Sequence, residues 1–180
     1  MSKRAILVVD LQNEYWPSGN LPLHGIDAAS TNAARVMAHA RAKGDLVVNI
    51  RHEMPGAQLF VPGSDGAKIN QAVLPKDDEP VITKHFPNSF RETGLSDLLK
   101  ENGVEEVVVV GAMSHMCVDA TVRAANDMGY KTTTIHDACA TLDLNFDGIT
   151  TPAAQVHAAL MAALSFGYGE VISTDAFLAR

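Results

Sequence analysis

Cysteine is almost missing from this chain: Cys117 and Cys139 are the only two in 180 residues. Two are too few for a disulfide framework, and their spacing matches neither a C-x-x-C redox motif nor a zinc-type cluster. Each is expected to be a reduced thiol, serving either packing or chemistry. Long apolar runs are missing as well. Ala5–Val9 and Val107–Val110 fall far short of the roughly 20 residues that cross a bilayer. The N-terminal segment shows no signal-peptide h-region or cleavage site, so the expected location is cytoplasmic, with no membrane contact. Positive charge is the third scarcity. Lysine and arginine number 14 against 21 acidic residues, a formal charge of −7, and no basic patch offsets it. That argues against nucleic acid and anionic membrane as partners. Repeats, linkers and low-complexity tracts are also lacking, and a hydrophobic share of 47% suits one globular domain over residues 1–180.

What is present is an alternation of strands and helices. Ala5-Ile6-Leu7-Val8-Val9 is continuously apolar, as a strand covered on both faces should be, and Asp10 closes it. Ile26, Ala29, Ala33, Val36, Met37 and Ala40 recur at helical spacing up to Gly44, a C-cap signal. Leu46–Ile50 reads as a second strand. The stretch from His52 to Asp78 is long and broken by Pro55, Pro62, Gly63 and Pro75, and loops of that length tend to carry function. Pro80–Lys84 reads as a third strand that ends on a lysine, followed by a short helix with Leu95, Leu98 and Leu99 inward. Val107–Val110 is the fourth strand. Gly111-Ala112-Met113-Ser114 then turns into a helix, expected to be capped by Ser114, with Cys117, Ala120, Thr121, Ala124 and Met128 inward. Lys131–His136, a helix opened by Thr151-Pro152, and a strand over Glu170–Thr174 complete the pattern.

Strands alternating with helices imply right-handed crossovers and a parallel sheet covered on both faces, with ligands bound beyond the carboxyl ends of the strands. Asp10, Lys84 and Cys117 all fall at or just past such ends, on one edge of the sheet. A cysteine attacks as its thiolate, whose ordinary pKa of about 8.5 leaves little ionised at neutral pH. A helix N-terminus, the charge of Lys84 and proton acceptance by Asp10 are three available forms of help. Backbone N–H groups of the turn from Gly111 to Cys117 are positioned to stabilise an oxyanion.

These motifs resemble those of the isochorismatase-like cysteine hydrolases, a family that includes nicotinamidases, N-carbamoylsarcosine amidohydrolases and ureidoacrylate amidohydrolases. The resemblance rests on Val8-Val9-Asp10-Leu11-Gln12-Asn13, on Lys84-His85 with Asn88-Ser89-Phe90, on Gly111-Ala112-Met113-Ser114-His115-Met116-Cys117-Val118, and on Asp137-Ala138. It covers nearly the whole chain. It implies a three-layer α-β-α sandwich around a mostly parallel six-stranded sheet of order 3-2-1-4-5-6. It also implies a triad of Asp10, Lys84 and Cys117, a cis Ala112–Met113 peptide, and an oxyanion hole from the N–H groups of Met113 and Cys117. The expected function is metal-independent hydrolysis of a small amide or ureide through a Cys117 thioester, without cofactor, in a homo-oligomer.

One departure from the family pattern matters. Where nicotinamidases hold a metal through an Asp-x-His motif, this chain reads Arg51-His52-Glu53, so no metal site is expected and nicotinamide is disfavoured. Asn13, Trp16, Phe86, Asn88 and His115 are candidates for the substrate pocket, although ordinary packing suits Trp16 and Phe86 equally well. Cys139 reads as packing. Two other functions fit the same residues: hydrolysis of a vinyl ether or ester on this scaffold, or a non-catalytic redox sensor in which Cys139 resolves an oxidised Cys117.

Overall fold

In the computed structural model, which describes residues 3–180, burial of both faces of each central strand explains its unbroken apolar sequence. On β1 (Lys3–Val9), Ile6 and Val8 point to one face while Ala5, Leu7 and Val9 point to the other. On β4 (Val104–Ala112), Val108 and Val110 oppose Val107 and Val109 in the same way. The first face is covered by α1 (Ile26–Lys43) and α5 (Thr174–Leu178). The second is covered by α2 (Leu95–Glu101), α3 (Asp119–Asp127) and α4 (Ala153–Gly167). Both faces of these strands are dry, as in parallel sheets wound by crossover helices.

The remaining strands are β2 (Leu46–His52), β3 (Val81–Lys84), β5 (Lys131–Ala140) and β8 (Glu170–Ile172), with a hairpin of β6 (Leu144–Phe146) and β7 (Ile149–Thr151) between the last two. The six-stranded sheet runs β3-β2-β1-β4-β5-β8, with every neighbouring pair parallel. The expected fold is therefore present, the hairpin aside: the strand foreseen as sixth is the eighth. The hairpin went unforeseen: its two strands are three residues each, and its apolar Phe146 and Ile149 are 85% and 67% exposed, outside the core.

Local expectations need three corrections. Ser114 does not cap a helix: its hydroxyl lies 2.8 Å from His157 Nδ1 and 3.3 Å from the Ala140 carbonyl. Residues Ser114–Val118 instead wind as a π-helical turn, with the Val118 N–H donating to the Met113 carbonyl at 3.2 Å. The extra residue in that turn rotates α3 about its axis, so the buried line on α3 is Thr121, Val122 and Ala125, while Ala120 and Ala124 are only half-buried and Met128 is exposed. Third, β4 and β5 run beyond their predicted ends, because a register shift between Val109 and Gly111 lets the ladder resume at Gly111 opposite Cys139. Gly111 is required there. Its φ is 131°, and a Cβ would stand 2.0 Å from the Val9 carbonyl oxygen.

The long segment after β2 is irregular but tied down by the residues just past Asp10. Gln12 is fully buried; its Nε2 donates to the carbonyls of His52 and Ala67, each at 2.8 Å, and its Oε1 accepts the His52 N–H at 2.7 Å. The Asn13 side chain donates to the Asp65 carbonyl and accepts from Asn70. Glu14, also buried, accepts from the backbone and side chain of Asn20. One short sequence thus clamps the end of β2 to the end of β1. Gln12→Ala would strand a buried N–H and two carbonyls, so urea unfolding should show a loss of at least about 2 kcal/mol; a loss within error of zero would mean the clamp is not structural.

Candidate active site

Four adjacent strands end at one edge of the sheet, and each delivers a polar side chain. Asp10 comes directly after β1 and adopts a left-handed φ of 51° as the chain leaves the sheet, a conformation Asp tolerates better than most residues. His52 closes β2 and Lys84 closes β3; the two are register partners, so their side chains share one face of the sheet. Cys117 sits in the π-turn after β4. The peptide between Ala112 and Met113, just before that turn, is cis.

These four side chains converge. Lys84 Nζ lies 2.7 Å from Asp10 Oδ2, 3.2 Å from Cys117 Sγ and 3.0 Å from His52 Nδ1. Asp10 and Lys84 have no exposed surface, and Cys117 and His52 are 6% and 8% exposed. The potential ligand atoms of Asp10, His52 and Cys117 also lie within 4.8 Å of one another, and the cationic position among them is taken by the Lys84 ammonium. Asp10 Oδ1 accepts no hydrogen bond among the described residues, which leaves a buried carboxylate oxygen free to take a proton.

The electrostatics come from burial and from this contact. Burial pulls the Lys84 amine down, but the Asp10 carboxylate beside it outweighs burial and holds Lys84 above its ordinary value, as an ammonium, with a further contribution from Cys117 only when that thiol ionises. Burial first, and the Asp10 carboxylate second, push the Cys117 thiol up, and Lys84 opposes them without prevailing. Burial, reinforced by the charge of Lys84, pulls His52 down to about 4. The resting state is therefore a thiol beside an ion pair and a neutral imidazole. Of the three forms of help open to the thiol, neither the helix start nor Lys84 makes the thiolate the resting form, because the cost of desolvating the anion exceeds what one ammonium returns.

Supporting contacts explain the wider motifs. Ser89 bonds Thr121 of α3 through both its N–H and its hydroxyl, tying the loop after Lys84 to the helix after Cys117. Asp137 accepts from the N–H and hydroxyl of Thr174 and so holds the start of α5. Cys139 is enclosed in β5 with its thiol pushed up to about 12 by burial, the condition of an unreactive packing residue.

The proposed pocket residues divide. His115, two residues before Cys117, bonds Thr141 at 2.6 Å. Asn88 Oδ1 accepts the Phe90 N–H, and Phe86 lies under the Arg91 guanidinium at 3.6 Å. Asn13 is committed to the loop clamp. Trp16 donates to Asp27 at 2.8 Å, and both Asn13 and Trp16 line a surface cavity of about 610 Å³ whose walls do not include Asp10, Lys84 or Cys117. His52 is the residue whose role sequence reasoning missed. Its position at a strand end was visible, but its partner was not, because only the register of β2 on β3 places it beside Lys84.

With this geometry in hand, comparison with known proteins is decisive on family. The isochorismatase domain matches residues 4–176. The chain belongs to the isochorismatase family. This isochorismatase-family hydrolase is 46% identical over 176 residues to an uncharacterized isochorismatase family protein of Bacillus subtilis, covering 97% of this chain and 98% of that one. A solved structure from Oleispira antarctica shares 49% identity and superposes with a TM-score of 0.96 over 99% of this chain and 97% of the other. Maleamate amidohydrolase of Pseudomonas putida is 32% identical over 152 residues, covering 75% of this chain and 71% of that protein. Among the described residues, no helix is long and apolar enough to cross a membrane.

The state of His52 makes a pH prediction. Its folded value of about 4 lies below the ordinary 6.5, so the unfolded chain binds a proton that the folded one refuses. The stability tied to neutral His52 is complete above the unfolded value and is lost as pH falls from 6.5 toward 4. Thermal melting over that window should fall more steeply for the wild type than for His52→Gln; parallel curves would show that His52 titrates normally.

Proposed function

We propose that this protein hydrolyses a carbon–nitrogen bond of a small amide or ureide, with Cys117 as nucleophile, Asp10 as acid and base, and Lys84 as electrostatic support. The observation that carries the reading is the buried contact of Lys84 with both Asp10 and Cys117, with an Asp10 carboxylate oxygen within 4.8 Å of the thiol sulfur. Similarity to maleamate amidohydrolase supports amide cleavage.

The protonation states dictate the order of events. As Cys117 Sγ attacks the substrate carbonyl carbon, its proton passes to Asp10, so the thiolate need never accumulate in the buried site. Charge develops on the carbonyl oxygen, and the N–H groups of Met113 and Cys117 are the donors assigned to it. Asp10 then gives its proton to the leaving nitrogen as the carbon–nitrogen bond breaks, leaving an acyl thioester on Cys117. Water attacks the thioester carbon while Asp10 takes one of its protons. Collapse of this second intermediate breaks the carbon–sulfur bond, and Asp10 returns the proton to Sγ. Lys84 keeps its charge throughout, 2.7 Å from Asp10 Oδ2. Its three neighbours also prevent it from acting as a nucleophile, since each of its protons has an acceptor.

The test is release of ammonia or amine from a panel of small primary amides, ureides and carbamoyl amino acids. Cys117→Ala should lower release by more than about a thousandfold, and intact-mass measurement of the wild type during turnover should show the acyl group on the Cys117 peptide. Full release by Cys117→Ala, with no adduct on the wild type, would remove the thiol from the mechanism and with it this reading.

A further inference from the structure

We infer that His52 is a positioning residue for the reaction: its neutral imidazole accepts the third proton of the Lys84 ammonium and so fixes the direction of the N–H that Lys84 offers to Cys117.

The geometry begins with the sheet. Because β2 lies between β3 and β1, Lys84 must reach across the end of β2 to meet Asp10. The β2 residue in register with it is His52. An ammonium has three donors, and a fully buried one must place all three. Lys84 finds Asp10 Oδ2 at 2.7 Å, His52 Nδ1 at 3.0 Å and Cys117 Sγ at 3.2 Å. With two directions set by Asp10 and His52, the third is forced onto the sulfur. Removing the imidazole acceptor would leave the ammonium free to turn about its Cε–Nζ bond.

His52 is itself held in place. Gln12 grips its backbone N–H and its carbonyl, and the ring stands edge-on to Phe60 at 5.4 Å, with Phe60 in turn edge-on to Tyr15 at 5.2 Å. Donation from Lys84 requires a lone pair on Nδ1, so the ring proton belongs on Nε2. The charged or titratable groups facing His52 are Lys84 of β3, Asp10 after β1, Cys117 of the π-turn, and the neighbouring His85. This assignment rests on the reading of Cys117 as nucleophile, but it concerns the thiol directly, and its test needs no substrate.

The experiment is the rate of Cys117 alkylation by iodoacetamide between pH 6 and 9, tracked by peptide mass spectrometry, in wild type, His52→Leu and His52→Gln. At fixed pH, His52→Leu should alkylate about tenfold more slowly, equivalent to a rise of about one unit in the thiol. His52→Gln, whose side-chain oxygen can accept from Lys84, should recover most of the wild-type rate. Equal rates in wild type and His52→Leu would overturn the assignment, as would a Gln variant no better than Leu. If His52→Leu does not fold, nitrogen-15 histidine NMR of the wild-type protein decides: the assignment requires an Nε2–H tautomer with a bare Nδ1, and an Nδ1–H tautomer contradicts it. A protein that meets these expectations yet releases no amine would leave the positioning role standing and sink the proposed reaction alone.

Discussion

The buried ion pair between Asp10 and Lys84 is the constraint around which the rest of this edge of the sheet is arranged. Two opposite charges with no solvent exposure are not a cheap source of stability. Removing each from water costs several kcal/mol, and only close geometry with saturated hydrogen bonding offsets it. Much of the local sequence serves that geometry. Gln12 locks the end of β2 to the end of β1, Ser89 and Thr121 lock the loop after β3 to the helix after β4, and Gly111 lets β4 pass within contact of β1. The result is a lysine that cannot turn away and an aspartate with a carboxylate oxygen within 4.8 Å of the thiol.

Burial also decides how the thiol is used. In an exposed site, a nearby ammonium would be expected to draw a cysteine toward its thiolate. Here desolvation and the Asp10 carboxylate act together against the anion and exceed the pull of Lys84. A site of this kind stores no reactive thiolate. It stores a carboxylate beside a thiol, and under the proposed reaction the sulfur becomes nucleophilic only when a substrate carbonyl is present to receive it. A thiol held in this state is also less open to oxidation than a thiolate would be.

The parts legible in the sequence were those written in local pattern. Continuous apolar runs gave the central strands, helical spacing from Ile26 to Ala40 gave the first helix, and residues closing successive strands gave the shared edge at Asp10, Lys84 and Cys117. What escaped depended on register or on contacts far apart in the chain. Periodicity cannot reveal that His52 lies opposite Lys84, or that Asn13 spends its amide on Asp65 and Asn70 instead of facing the thiol. The π-turn was hidden for a related reason: its extra residue is set by packing of Ser114 against His157 and Ala140, not by any capping signal. The hairpin at β6 and β7 has strands of only three residues that carry Phe146 and Ile149 outward, too short a pattern to mark a strand by itself.

The central claim is that Cys117 rests as a thiol and gives up its proton to Asp10 only during attack. The most direct measurement is the ultraviolet difference spectrum between the wild type and Cys117→Ala at pH 7, where a thiolate absorbs and a thiol does not. The account predicts no thiolate band in the free protein at neutral pH. A full thiolate band under those conditions would mean that Lys84 wins over burial, and that Asp10 is not the base for the first step.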